Sequence, residues 1–290
     1  MRSSPNQRAD SHAIIFMDGR LVARHRARVS IEDWGFRYGW GAFETIRVSR
    51  GKPVFLSRHL ARFSQNARAL LLPHSDEWKW WHNAIIKVVA HAPFEEGALN
   101  LYWTRGKAPL FRGSRIISLR PQLSRRPGNG RIWVAPWRLG QGVPGVGTKT
   151  LAYLPYTYSG ICAQAAGFAD AVLVNRHGRI ADGSSASVFL IDGGRLLTPP
   201  VTEGALDGIT RGVVLELAGE LGIETKVVPL PVRRLRTSDG VFLTSVLRGL
   251  RPVKEVDGQR VPMSTEARHL FVRLRRAHAR AVTRDLEAFR

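Results

Sequence analysis

The sequence predicts an α/β protein of mixed sheets and helices in two domains, and three observations carry that expectation. Short runs of β-branched and aromatic residues, closed by Gly, Pro, Asn or Asp turns, alternate with stretches of helical periodicity. A stretch rich in Arg, Pro and Gly at 124–130 breaks the pattern near the middle of the chain. With 290 residues, 44% of them hydrophobic, the chain is long enough for two cores. The expected division is an N-terminal α/β domain over 1–125, a linker over 126–137 and a larger C-terminal α/β domain over 138–290.

The elements follow in order. Residues 13–17 form a β-type run before the turn Asp18-Gly19. A strand is expected over 41–48, then the turn 50–53, then a second β-run, Val54-Phe55-Leu56. Ser57 can cap a helix in which Leu60, Phe63, Ala67 and Leu70 recur at steps of three and four. A second helix covers 77–90, with Trp78, Trp81, Ile85 and Val88 as its apolar stripe. Strands at 99–103 and 115–119 flank the loop 105–109. Beyond the linker, 171–174 and the turn 175–178 read as one arm of a hairpin, and 188–191 starts another. A helix over 209–221 is closed by Gly222, and 241–244 is a further strand.

Composition narrows the function classes. The single cysteine, Cys162, excludes an internal disulfide and a cysteine-based metal cluster, and reads as a small buried residue; no metal site is expected. No apolar run approaches the roughly 20 residues of a membrane helix, and residues 1–10 are polar, which suits a loose tail on a cytoplasmic protein. The formal charge is +21, from 44 basic and 23 acidic residues. Such an excess suits polyanion binding. Here it is nearly all arginine spread along the chain, densest at 268–284, so a nucleic-acid partner is not expected.

Seven lysines make a nucleophilic amine easy to search for. Lys52 and Lys107 fall in turns, Lys79 and Lys87 on a helix, and Lys226 and Lys254 beside strand-like runs. Lys149 follows a glycine-rich approach, 140–148, and enters an apolar aromatic segment, 151–158. It is either an ordinary loop lysine or an amine whose half-buried site makes it a usable nucleophile. The helix near Ile209 is preceded by Gly204-Ala205-Leu206-Asp207-Gly208. Its first N–H groups can cradle a phosphate, unless Asp207 or Thr210 merely caps the helix.

Several blocks now accumulate in a fixed order: EDWGFRYGWGAFET at 32–45, HLARF at 59–63, TRG at 104–106 and KTL at 149–151. GSSASVF at 183–189, TPP at 198–200, GITR at 208–211 and FLTS at 242–245 complete the set. Over about 13–260 the chain resembles the class IV aminotransferases, the fold-type-IV pyridoxal-phosphate enzymes. The resemblance implies a two-domain fold like that of D-amino-acid aminotransferases, with pyridoxal 5'-phosphate at the domain interface, and a homodimer. It implies that Lys149 carries the cofactor covalently and shuttles the substrate's α-proton. Arg62 and the amides of Ile209 and Thr210 would hold the phosphate, joined by Ser245 and Val246. Tyr153 would reach the ring hydroxyl and Asp182 the pyridine nitrogen. Tyr38, Phe43 and Arg105 lie in segments that line the family's substrate pocket.

The chain departs from the family at several of these positions. Asp182 stands where a glutamate is usual, one methylene shorter. Ala152 and Ser187 replace asparagines, Trp40 an acidic residue, and Val246 a phosphate-binding threonine. The expected activity is amino transfer between an amino acid and a 2-oxo acid. The segment 245–253, SVLRGLRPV, resembles aminodeoxychorismate lyases, which makes release of 4-aminobenzoate and pyruvate the alternative. A catalytically decayed member acting as a binding protein is the third reading.

Overall fold

The structure, a computed structural model, describes residues 13–73, 77–122, 130–140 and 146–289. The expected tail at 1–10, residues 124–129 of the linker candidate and 141–145 of the glycine-rich approach lie outside the described residues. The chain divides into two compact units. One holds Met1–Arg125, regains the chain at Lys149–Tyr153 and again at Val282–Arg290; the other holds Arg126–Thr148 and Leu154–Ala281.

The first unit begins with β1 (Ile14–Met17), β2 (Arg20–Val22), α1 (Trp34–Tyr38), β3 (Gly41–Ser49) and β4 (Lys52–Pro53). It continues with α2 (Leu56–Ala69), α3 (Glu77–Ala90), β5 (Gly97–Thr104) and β6 (Arg115–Pro121). The strands form one sheet in the order β2-β1-β6-β5-β3-β4, antiparallel throughout. Strand periodicity puts Ala42, Glu44, Ile46 and Val48 on the buried side of β3. There Leu56, Leu60 and Phe63 of α2 and Trp81, Ile85 and Val88 of α3 pack into one apolar cluster. Three expectations change here. Trp78 is 43% exposed and stacks on His82 instead of joining the core, because the stripe of α3 starts one turn later, at Trp81. Ser57 is not the cap of α2: the cap position is Phe55, held at φ 53°, whose N–H donates to Asp285 Oδ2 at 2.6 Å. The second β-run is likewise displaced, since pairing with β3 covers Lys52 and Pro53 and leaves Val54 and Phe55 in the turn that follows.

The second unit runs through β7 (Arg131–Leu139), α4 (Leu154–Ala165), β8 (Asp170–Asn175), β9 (Ile180–Gly183), β10 (Ser187–Asp192) and β11 (Arg195–Thr198). Then come α5 (Ile209–Glu220), β12 (Thr225–Val227), α6 (Arg234–Thr237), β13 (Gly240–Ser245) and β14 (Gly249–Pro252). The chain ends with β15 (Glu255–Val256), β16 (Gln259–Arg260) and α7 (Thr265–Ala288), whose last turns group with the first unit. There are two five-stranded sheets, β12-β11-β10-β13-β14 and β16-β15-β7-β8-β9. The linker expected over 126–137 is corrected by β7. RIWVAPWRL has the β-branched and aromatic content of a strand, and it pairs in parallel with β8. Cys162, expected buried, is half-exposed on α4. No helix among the described residues is long and apolar enough to cross a membrane.

Candidate active site

Lys149 was expected in the C-terminal domain, but its contacts group it with the first unit, and the hydrogen bonding shows why. β4 pairs with β3 only at Val48 and Ser49, so among the described residues the Gly41–Phe43 end of that edge has no named strand beside it. The segment 149–151 fills the place. Phe43 N–H donates to the Lys149 carbonyl at 2.9 Å, Leu151 N–H donates to the Gly41 carbonyl at 2.9 Å, and Ala42 bridges Thr150. Gly41 permits this approach: a Cβ there would lie 2.5 Å from the Trp103 carbonyl and 2.5 Å from Leu151 Cδ1. With its backbone fixed, the lysine places Nζ 4.0 Å from the centroid of Phe43 and 5.2 Å from that of Tyr153. The two rings meet edge to face at 4.9 Å. The ammonium is therefore half-buried against aromatic faces, whose quadrupoles attract it.

Next to Phe43 in sequence, Glu44 turns to the core face of β3 and is 0% exposed. Arg62, one turn along α2 from His59, meets it through two nitrogens: Nε donates to Oε2 at 2.9 Å and Nη2 to Oε1 at 2.6 Å. His59 Nδ1 lies 3.3 Å from Oε1, and Thr45 N–H donates to the same oxygen at 2.8 Å. Burial alone would raise the Glu44 carboxyl, but Arg62 and His59 outweigh it and hold the group well below the usual carboxylate range. Burial holds His59 below its ordinary value, against the pull of Glu44, and the positive charges of Arg62 and Lys149 add to that lowering.

The second unit supplies a different set of groups. Asp182, buried at the end of β9, accepts from Gly183 N–H at 3.0 Å and from Leu206 N–H at 2.9 Å. Burial, then the Asp182 charge, pushes the nearby Tyr156 phenol up. Helix α5 starts at Ile209 with Gly208 as its cap, and no side chain caps it, so Asp207 and Thr210 do not serve as caps. Gly208 is held against β10: a Cβ there would sit 2.8 Å from Ser187 Oγ, and Ser187 pairs across the sheet with Thr244. At that end of β13 the hydroxyls of Thr244 and Ser245 are buried without a hydrogen-bond partner among the described residues. Val246 follows in the turn 245–248, closed by Arg248 N–H donating to the Ser245 carbonyl at 3.3 Å.

Of the three pocket candidates, Phe43 lies against Lys149. Arg105 packs its guanidinium 4.2 Å from the Phe111 centroid and 5.5 Å from that of Trp40, in a loop clasped by Asp33. Tyr38 is 59% exposed at the end of α1, with Arg37 over its ring. Sequence reasoning passed over Glu44 and His59. A carboxylate in step with Ala42 and Ile46 on the apolar face of a strand was the available signal. It also passed over Asp170, whose Oδ2 accepts from Arg248 and Arg251, each at 3.1 Å, and whose Oδ1 accepts from Ser184 at 2.5 Å. Those partners are separated by 14 to 81 residues, so no local pattern reveals them.

Comparison with known proteins adds the following. The model of amino-transferase class IV matches residues 41–256. The protein named "Putative branched-chain-amino-acid aminotransferase" of Methanocaldococcus jannaschii is 32% identical over 254 residues, 84% of this chain and 88% of that protein. A bifunctional aminodeoxychorismate lyase / D-amino acid transaminase of Mycobacterium tuberculosis is 27% identical, over 86% of this chain and 93% of its own length. Among solved structures, the branched-chain aminotransferase of the thermophilic archaeon Thermoproteus uzoniensis, with norvaline, matches with a TM-score of 0.83 at 25% identity, covering 94% of this chain and 97% of that one.

Proposed function

The chain belongs to the class IV aminotransferase family, and from that membership we propose that it is a pyridoxal-phosphate enzyme that moves an amino group between an amino acid and a 2-oxo acid. The observation that carries the reading is the docking of Lys149 on the open edge of β3, with its amine against Phe43 and Tyr153. The donor set suits a phosphorylated pyridine. The first unit has an amine for covalent attachment and an arginine; the second has an uncapped helix start, a buried carboxylate and, on β13, two buried hydroxyls without partners among the described residues.

When bound, pyridoxal phosphate supplies an electron sink for negative charge developing at the substrate's α-carbon. The residues of this chain do the rest. Lys149 Nζ would hold the cofactor until a substrate amine takes its place, and the freed amine would then carry a proton from the substrate's α-carbon to the cofactor carbon that the lysine had held. Phe43 and Tyr153 limit water around that nitrogen. The N–H groups of Ile209 and Thr210, the Ser245 hydroxyl, the Val246 amide and Arg62 hold the phosphate. Asp182 serves the ring nitrogen. Each of its oxygens accepts one backbone N–H, and a carboxylate oxygen can accept a second donor as well.

An exposed apolar patch supports a homodimer. Ile31, Phe36, Tyr38 and Leu110 are exposed on segments joined by the Trp34 N–H bond to the Gly106 carbonyl and by the Trp34–Phe111 contact. Such a patch is suited to a second copy of the chain. The lyase remains as a second reading because 245–253 carries its pattern and one relative is named for both activities. Adding pyridoxal phosphate to the purified protein is expected to give a yellow, near-visible absorbance that Lys149→Ala abolishes. A colourless wild type would sink both enzyme readings. Amino transfer to 2-oxoglutarate without release of 4-aminobenzoate would reject the lyase.

A further inference from the structure

We propose that Asp170 is a positioning residue for the cofactor's phosphate: through Arg248 it pins the turn 245–248, which offers the phosphate its Ser245 and Val246 donors. The inference rests on the reading of Ser245 and Val246 given above and names what holds their turn in place.

Asp170 opens β8 and is 2% exposed. Its carboxylate gathers segments of the second unit that are far apart in sequence. Oδ1 accepts from Ser184 Oγ at 2.5 Å and from Ala171 N–H at 3.0 Å. Oδ2 accepts from Ser185 Oγ at 2.9 Å and from Nη2 of Arg248 and of Arg251, each at 3.1 Å. Arg248 Nη2 also donates to Ser185 Oγ. These five donors meet a carboxylate that offers about four lone-pair sites, so the acceptor is saturated and its direction fixed. β8 lies in one five-stranded sheet and the hairpin of β13 and β14 in the other, so no strand pairing ties the two. The ion pairs of Asp170 do.

The tie acts on the turn itself. The backbone closes it with Arg248 N–H donating to the Ser245 carbonyl at 3.3 Å, longer than the usual range for such a bond. The Arg248 side chain supplies the second hold, because its guanidinium is anchored on Asp170 and Ser185. Ser185 in turn stands three residues from Asp182, the proposed partner of the ring nitrogen. One buried carboxylate thus relates the segment that would serve the ring to the turn that would serve the phosphate.

Stability alone does not account for the cluster. Two guanidinium groups share one carboxylate, and burial, then the charge of Arg251, holds Arg248 below its ordinary value. Charges taken out of water lose hydration that their pairing barely restores. The arrangement is accounted for if it orients the turn.

Charge and position predict opposite signs, which makes the proposal testable. Asp170→Asn deletes a negative charge. If the turn stayed where it is, an anion would bind more tightly. If the turn is released, its donors lose their register and the anion binds more weakly. Full-length protein stripped of cofactor is titrated with pyridoxal phosphate and with phosphate-free pyridoxal, following near-visible absorbance. Asp170→Asn is expected to raise the dissociation constant for pyridoxal phosphate on the order of tenfold, the scale found when a group orienting a metal ligand is removed. Affinity for pyridoxal should stay within about twofold, because it brings no phosphate to the turn. Arg248→Met changes the charge in the other direction and should show the same selective loss, and the double variant should be no worse than the weaker single variant. Unchanged or tighter binding of pyridoxal phosphate by Asp170→Asn would overturn the proposal. So would equal losses for both ligands, or losses that add in the double variant. Ser245→Ala with its phosphate selectivity intact would instead sink the reading of the turn, and the proposal with it. If Asp170→Asn does not accumulate folded, Asp170→Glu carries the same comparison. It keeps the charge on a longer arm and should show a smaller loss of the same selectivity.

Discussion

At the scale of residues, the proposed partner of the ring nitrogen is Asp182. Its carboxylate is held on both sides by backbone N–H groups from Gly183 and Leu206, which fix its direction despite the shorter side chain. Charge, not shape, is what a ring nitrogen needs from it. Asp182→Asn keeps the size and one acceptor oxygen but loses the charge. The expected result is a yellow protein whose amino-transfer kcat falls on the order of 100-fold, the usual cost of deleting one electrostatic contact to developing charge. Steady-state kinetics beside the absorbance spectrum would check this. An unchanged kcat would mean that Asp182 does not serve the ring.

At the scale of elements, the lysine is only as well placed as the edge it pairs with. Three residues, 149–151, are tied to three residues of β3 by two backbone hydrogen bonds and a bridge. At Gly41 a side chain would meet Leu151 Cδ1 and the Trp103 carbonyl, each at 2.5 Å, and the carbonyl cannot rotate away. Gly41→Ala should therefore destabilise the protein by about 1–3 kcal/mol, in the range of overpacked sites. It should weaken coloration with pyridoxal phosphate at the same time. Denaturant midpoints and absorbance titration measure the two effects, and a variant as stable and as yellow as wild type would show that the edge pairing is dispensable. The start of α5 is the other element that matters. Its cap carries no side chain, and the strand beside it ends in two hydroxyls without partners, so the donors there are left for a ligand.

At the scale of the whole molecule, the buried Glu44–His59 pair couples stability to pH. Both groups have lowered folded values, so the folded state binds fewer protons than the unfolded chain in acid. Stability is therefore present above the unfolded values and lost as pH falls. The loss should begin below the ordinary histidine value of 6.5, from His59, and deepen below the ordinary glutamate value of 4.5, from Glu44. Urea midpoints measured across this range should fall on acidification, and His59→Gln should flatten the upper part of the curve. A midpoint independent of pH between those values would contradict the assignment.

Much of this protein was legible in the chain. Periodicity located α3 over 77–90, the hairpin of β8 and β9, and α5 with Gly222 just beyond it, because each depends on neighbours within a turn or two. Ordered blocks singled out Lys149 among seven lysines and identified the family. What the sequence could not show were pairings between distant segments. Phe55 at the cap position of α2 is held by Asp285, β7 takes residues expected as linker because β8 pairs with it, and Asp170 gathers partners from 184, 185, 248 and 251. The lysine itself shows the division. The ordered blocks, not the local pattern alone, determined which lysine to propose for the chemistry. The tertiary structure decided that it is held by β3 of the first unit, because an open strand edge accepts whatever backbone folding brings beside it.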